Sequence, residues 1–289
     1  MKAFEEQDVK SLLLKHGFKF AKSKGQNFLV DSNITDKIVR KAEIDSSCAV
    51  LEIGPGVGAL TRKLCTSAAH VTAVELDKRL IPILKMVMSD YNNIDIINAD
   101  ILKLDIVKLA AEKMPKVKKT VCANLPYNIT TPALTTLMDA DVFDQITVMV
   151  QREVAQRMCS EPGSSNYSAF TVYINYHSQP EVLFDVPPQC FVPRPSVYSS
   201  VVKMRKHTVF KLSQKEEALF FKIVRASFGQ RRKTLANALH AVFKESIDKS
   251  TITNIIIDSG FEANTRGETL AIEDFMGLLA RFKALSIEI

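Results

Sequence analysis

Five short apolar runs alternate with helical segments between Cys48 and Val150, and this alternation constrains the fold more than any other feature of the chain. The runs are Cys48 to Ile53, His70 to Glu75, Ile94 to Asn98, Lys119 to Ala123 and Ile146 to Val150. Helical periods fill the gaps at Ala59 to Ser67, Lys78 to Ser89, Ile106 to Lys113 and Pro132 to Met138. Strands separated by helices make βαβ units, so an α/β fold with a mostly parallel sheet and helices on both faces is expected.

The flanks differ. Glu5 to His16 reads as a short helix, Phe18 to Lys24 as a basic arm, and Asp31 to Glu43 as a helix capped by Asp31 or Asn33. After Gln151, Arg152 to Ser160 is helical, while Ser168 to Tyr176 fits either period. Glu181 to Val186 and Tyr198 to Lys206 read as two strands around the proline-rich loop Pro187 to Pro195, a hairpin closing the far edge of the sheet. From about Lys211 every strong period is helical. Two domains follow: 1–207 with the sheet, and 208–289, a small C-terminal all-α domain.

The 289 residues include five cysteines without a CxxC pair and five scattered histidines, which argues against a disulfide framework and against a metal site. No apolar run approaches a membrane span, and Met1 to Glu6 lacks the apolar core of a signal peptide, so a cytoplasmic setting is expected. The net charge of +6 is unevenly spread. No acid lies between Asp8 and Asp31, a span with Lys10, Lys15, Lys19, Lys22 and Lys24. None lies between Glu217 and Glu245, which holds Lys222, Arg225, Arg231, Arg232, Lys233 and Lys244. Such stretches suit phosphates, or are simply solvated faces.

Three strand ends carry candidate chemistry. Gly54-Pro55-Gly56-Val57-Gly58 after the first run lets a ligand approach the backbone beside a helix N-terminus, although its GxGxG spacing departs from the dinucleotide pattern. Glu75 ends the second run, where an acid accepts hydrogen bonds from a ribose diol. Asp100 follows the third, placed to accept from an exocyclic amine. Singly each suits a loop acid or a helix cap; together they outline a crevice for an adenosine.

Asn124-Leu125-Pro126-Tyr127 ends the fourth run. Alone it fits an ordinary strand-to-helix turn equally well. Beside an adenosine crevice it fits methylation of an exocyclic amine. Asn124 Oδ1 and the Leu125 carbonyl would accept from the amino group and favour a tetrahedral nitrogen, while Tyr127 stacks on the base. Catalysis would then be alignment and electrostatics on an everted or unpaired base. In Phe191-Val192-Pro193-Arg194-Pro195, Phe191 is either a second stacking face or a core residue.

Gln26-Asn27-Phe28-Leu29, Leu51 to Thr61, Val74-Glu75-Leu76-Asp77, Asn124 to Ile129 and Phe191-x-Pro193-x-Pro195-x-Val197-x-Ser199 stand in order. The set closely resembles the ribosomal RNA adenine dimethyltransferases, and within them the small-subunit KsgA family. The resemblance implies a Rossmann-like class I S-adenosylmethionine-dependent methyltransferase with a seven-stranded sheet and an antiparallel edge strand. It implies dimethylation at N6 of two adjacent adenosines in the 3′-terminal hairpin of small-subunit rRNA, within an immature 30S particle, by a monomer that yields S-adenosylhomocysteine. Residue by residue, it implies that Asn27 and Leu29 close over the cofactor and that Gly54 lines its amino-acid end. Glu75 would bind the ribose hydroxyls and Asp100 the adenine amine. Asn124 would border cofactor and target, and Tyr127 and Phe191 would sandwich the base. The rivals are the large-subunit resistance methyltransferases, whose glycine turn usually differs, and a non-enzymatic assembly factor of the same fold.

Overall fold

The computed structural model describes residues 11–12, 15, 27–207, 210, 212–230 and 232–285. Most of the expected N-terminal helix, the basic arm to Gln26, and Arg231 lie outside the described residues. The chain divides into two compact units, one of residues 1–155 and 181–206, the other of 156–180 and 207–289.

The first unit holds a two-stranded ribbon and a seven-stranded sheet. The ribbon pairs β1 (Phe28–Leu29) antiparallel with β8 (Phe191–Val192). The sheet is made of β2 (Cys48–Ile53), β3 (His70–Glu75), β4 (Ile94–Asn98), β5 (Lys118–Asn124), β6 (Gln145–Gln151), β7 (Ser178–Val186) and β9 (Ser199–Lys206). Its order is β4-β3-β2-β5-β6-β9-β7. β2 to β6 are parallel, and β9 runs antiparallel beside β6 with Met149 opposite Val201. The antiparallel strand is therefore one place in from the edge rather than at it, because β7 takes the outermost position. The chain fills the sheet outward on one side of β2, then returns to β5 on the other. That reversal is a topological switch point, where an open α/β sheet leaves a crevice at its carboxyl edge.

Every residue of β2 is buried, as expected of a central strand covered on both faces. Helix α1 (Ser32–Lys41) is capped by Asp31, whose Oδ1 accepts the Asn33 N–H at 2.9 Å. Its Ile38 and Val39 pack with Val50, Leu64 and Cys122 under the sheet. The carbonyls at its far end are taken by the sheet: Lys203 Nζ donates to Lys41 O (3.1 Å) and Gln145 Nε2 to Ala42 O (2.6 Å). A cation at a helix C-terminus also complements the dipole there. Helix α2 (Ala59–Ser67) follows the glycine turn. Helix α3 (Ile81–Val87) is shorter than the period suggests, since Asp77 to Leu80 form a turn closed by Leu80 N–H on Asp77 O. Helices α4 (Ile106–Lys113) and α5 (Thr130–Asp139) complete the crossovers.

The second unit is helical. Ala169–His177, ambiguous in sequence, is a helix, because Ser168 and Thr171 form a reciprocal capping box at its start. It packs through Val172 and Tyr176 into the same core as Phe220, Leu239, Ile256 and Phe275. Its other helices include Gln214–Gly229, Leu235–Phe243, Lys249–Asp258 and Ile272–Ala284. Gly267 is enclosed there: a β-carbon on it would lie 2.6 Å from Ser227 O.

Candidate active site

The crevice at the carboxyl ends of β2, β3 and β5 is lined by Asn27, Leu29, Gly54, Glu75, Asp100, Asn124, Leu125 and Tyr127. Eight of the nine residues singled out from the sequence thus share one cavity. Phe191 does not line it.

The glycine turn forms the floor. Gly54, Gly56 and Gly58 all have positive φ, at 68°, 59° and 89°, a region that residues with a β-carbon rarely adopt. Gly56 is constrained twice, since an added β-carbon would stand 2.9 Å from Phe28 Cδ1. The ring of Phe28, absent from the sequence-derived set, also lines the crevice. Gly54 faces the fourth-strand motif: a β-carbon there would be 3.5 Å from Pro126 Cδ.

Glu75 is almost fully buried, and two backbone donors fix it. Gly56 N–H reaches Oε2 at 3.1 Å and Asp77 N–H reaches Oε1 at 2.8 Å. Burial raises its pKa above the ordinary carboxylate value, while the Asp77 and Gly56 donors pull it back down. Each oxygen retains a lone pair for a ligand hydroxyl. Asn98 Nδ2 holds the end of β3 in place by donating to Glu75 O (2.8 Å) and Leu76 O (3.3 Å). Asp77 is clamped in turn by Arg79, at 2.9 and 2.6 Å.

Asp100 does two things at once. Its Oδ1 accepts the Leu102 N–H at 3.1 Å as the cap of the turn Ile101–Lys103, and the carboxylate also borders the crevice. The cap and the acid at the crevice edge are the same residue.

Asn124 ends β5, opposite Met149 of β6. Its Nδ2 donates to the Asn27 carbonyl at 3.1 Å, which orients the amide so that Oδ1 remains the acceptor. Leu125 N–H is held by Met149 O at 3.1 Å. Pro126 and the turn Tyr127–Ile129 then lead into α5. Tyr127 is half-buried, with its hydroxyl 2.7 Å from Ser199 Oγ at the start of β9. Burial raises the phenol pKa and the Ser199 hydrogen bond partly offsets this, so the ring is neutral at physiological pH.

The expected second stacking face takes a different place. Phe191 is fully buried among Leu29, Cys190, Met149 and Val201. Pairing of β8 with β1 sets Phe191 opposite Leu29, which turns its ring into the core. In this structure it supports the Asn27–Leu29 segment from within, the core alternative open in the sequence. Glu52 also lines the crevice, a residue that sequence reasoning placed only within the first apolar run. An acid inside an otherwise apolar strand was the signal for it. Among the described residues no group of metal-ligating side chains occurs, and no helix is long and apolar enough to cross a membrane.

Residues 17–277 match the family model described as "Ribosomal RNA adenine dimethylase". The "Ribosomal RNA small subunit methyltransferase A" of Lachnoclostridium phytofermentans is 48% identical, over 92% of this chain and 93% of its own. The protein of that name from Alkaliphilus oremlandii is 44% identical, over 94% of each. Among solved structures, a dimethyladenosine transferase from Plasmodium falciparum superposes with a TM-score of 0.76 at 28% identity, covering 89% of this chain and 98% of that one. The 23S rRNA methyltransferase ErmE superposes with a TM-score of 0.68 at 24% identity, covering 89% and 100%, a likeness of fold. With the family model spanning nearly the whole chain and relatives this similar end to end, the protein belongs to the ribosomal RNA adenine dimethylase family.

Proposed function

We propose that this protein transfers methyl groups from S-adenosylmethionine to N6 of two adjacent adenosines in the 3′-terminal hairpin of small-subunit rRNA. The products are N6,N6-dimethyladenosine and S-adenosylhomocysteine. The substrate is the rRNA within an immature 30S particle, and the enzyme acts as a cytoplasmic monomer. The activity for which the relatives are named supports the reaction. One observation carries the chemistry: Asn124, which lines the crevice, donates an amide N–H to Asn27 O, and this assigns its Oδ1 as the acceptor.

The residues present fit the methyl donor. Glycines without β-carbons form the floor, an anchored acid offers spare lone pairs, and a second acid borders the crevice. When bound, the donor supplies an electrophilic methyl group on a sulfonium. Glu75 would hold the ribose hydroxyls, Asp100 the adenine amine, and Gly54 the amino-acid end, with Asn27 and Leu29 closing over it.

The adenine amino nitrogen is a poor nucleophile because its lone pair is delocalised into the ring. Asn124 Oδ1 and the Leu125 carbonyl accept its two N–H groups, which favours a tetrahedral nitrogen with the lone pair aimed at the methyl. Tyr127 stacks on the base, its phenol oriented by Ser199. After transfer the nitrogen is cationic and strongly acidic, so its proton passes to water without a tuned base. The main contribution is alignment, with electrostatic help from two fixed acceptors.

The rRNA is also held outside the crevice. Arg225, Arg232, Lys233 and Lys244 of the helical unit are exposed within an acid-free stretch, as a phosphate-binding surface requires. Methyl incorporation from labelled S-adenosylmethionine into unmethylated 30S particles tests the assignment, with 23S rRNA as the control. Incorporation confined to 23S rRNA would overturn it.

A further inference from the structure

The segment from Phe191 to Ser199 keeps its first ring in the core, yet it presents another to solvent. Tyr198 is 47% exposed, and among the described residues no other Phe or Tyr is exposed. It stands at the carboxyl edge of the sheet. β9 begins beside the end of β6, with Ser199 opposite Gln151, and lies two strands from β5, which ends in Asn124. The backbone there is held on both sides. Arg152 N–H donates to Tyr198 O at 2.9 Å, and the hydroxyl of the next residue, Ser199, is 2.7 Å from that of Tyr127. Pro193 and Pro195, each with a fixed φ, stiffen the approach.

The ring also has a fixed companion. The Arg152 guanidinium carbon lies 5.9 Å from the ring centroid, a cation–π distance. Asp185 Oδ2 is 3.6 Å from Arg152 Nε, and Ser200 Oγ holds that carboxylate by donating to Oδ1 at 2.6 Å. Three side chains thus orient a ring that stays nearly half open to solvent, beside the residue that positions Tyr127.

Everting an adenosine breaks its stacking on the neighbouring base, and proteins that bind unpaired RNA restore such stacking with aromatic rings. We propose that Tyr198, oriented by Arg152, is the platform on which the base flanking the target adenosine stacks while the target occupies the crevice. The inference rests on the rRNA reading above. It makes Tyr198 a residue that meets the polynucleotide and not the methyl donor.

Methyl transfer to unmethylated 30S particles, at varied particle concentration, tests this. Tyr198→Leu keeps apolar bulk and loses the π face, so kcat/KM for particles should fall roughly tenfold, mainly through KM. Tyr198→Phe and Tyr198→Trp should restore most of it, and S-adenosylmethionine affinity, measured by calorimetry, should be the same in Tyr198→Leu as in the wild type. Particles with uridine, a weak stacker, in place of each base flanking the target, one at a time, supply a readout that a merely structural role would not move. At one flank the wild type should lose several-fold, and Tyr198→Leu should lose nothing further. Losses that multiply at both flanks would set the ring against a protein or the sugar–phosphate chain and overturn the proposal. So would a wild-type KM in Tyr198→Leu, or a loss that neither aromatic variant restores. A wild type that methylates no adenosine of the particles would instead sink the rRNA reading.

Discussion

The side-chain amide of Asn124 donates to the backbone carbonyl of Asn27 at 3.1 Å, across 97 residues of sequence. This contact joins the end of the central strand β5 to the segment that leads into β1. It fixes the orientation of the acceptor on which the proposed chemistry depends. Asn124→Ala should lower methyl transfer by about 10²-fold or more, measured in single turnovers. Donor affinity should fall by a smaller factor, because the glycine floor and Glu75 remain. Wild-type turnover would refute the role of Oδ1.

Gly56 combines a positive φ with contact on Phe28 and a hydrogen bond to Glu75. Gly56→Ala should therefore cost about 1–3 kcal/mol of stability from backbone strain alone. It should also weaken donor binding by displacing Phe28 and loosening Glu75. Thermal melts with and without S-adenosylmethionine separate the two effects: the ligand-induced rise in Tm should shrink as well as the baseline.

Tyr127 and Phe191 should behave differently despite both being aromatic. Tyr127→Phe keeps the ring and loses only the Ser199 hydrogen bond, so turnover should fall a few-fold; Tyr127→Ala should nearly abolish it. Phe191→Leu should lower Tm while retaining most single-turnover activity at low temperature, and Phe191→Ala should cost about 3–5 kcal/mol as a core cavity. A Phe191→Leu enzyme with native Tm but little methyl transfer would show that the ring reaches the base after all.

In the helical unit, Gly267 has no room for a side chain against Ser227 O. Gly267→Ala should destabilise that unit by about 1–3 kcal/mol through overpacking, seen by hydrogen exchange of helix Gln214–Gly229. Donor binding in the sheet unit should be unchanged. Loss of donor affinity would contradict this.

The parallel core was legible because its strands are buried on both faces and read as apolar runs bounded by glycines and acids. Cys48–Ile53 and His70–Glu75 have the bounds that the pattern gives. Shorter-range competition was harder to see. The turn at Asp77 to Leu80 takes residues from a helix whose apolar period continues through them. Ala169–His177 is apolar almost all round, so its period was ambiguous and its capping box decided it. For the same reason its membership of the helical core, through Val172 and Tyr176, was hidden from a reading that placed one boundary near residue 207.

The lining of the crevice was readable where chemistry and position coincide, as at Glu75, Asp100 and Asn124. It was not readable where a side chain's direction depends on pairing distant in sequence. Phe191 faces the core because β8 pairs with β1 in a register that no local pattern specifies. Phe28 enters the crevice wall for the same reason.

Mass spectrometry of nucleosides and fragments from unmethylated small-subunit rRNA particles, after incubation with the enzyme and S-adenosylmethionine, tests the central claim most directly. The account predicts N6,N6-dimethyladenosine at two adjacent positions of the 3′-terminal hairpin with the wild type, and none with Asn124→Ala. Methylation of another base or position, or an equal yield from Asn124→Ala, would contradict it.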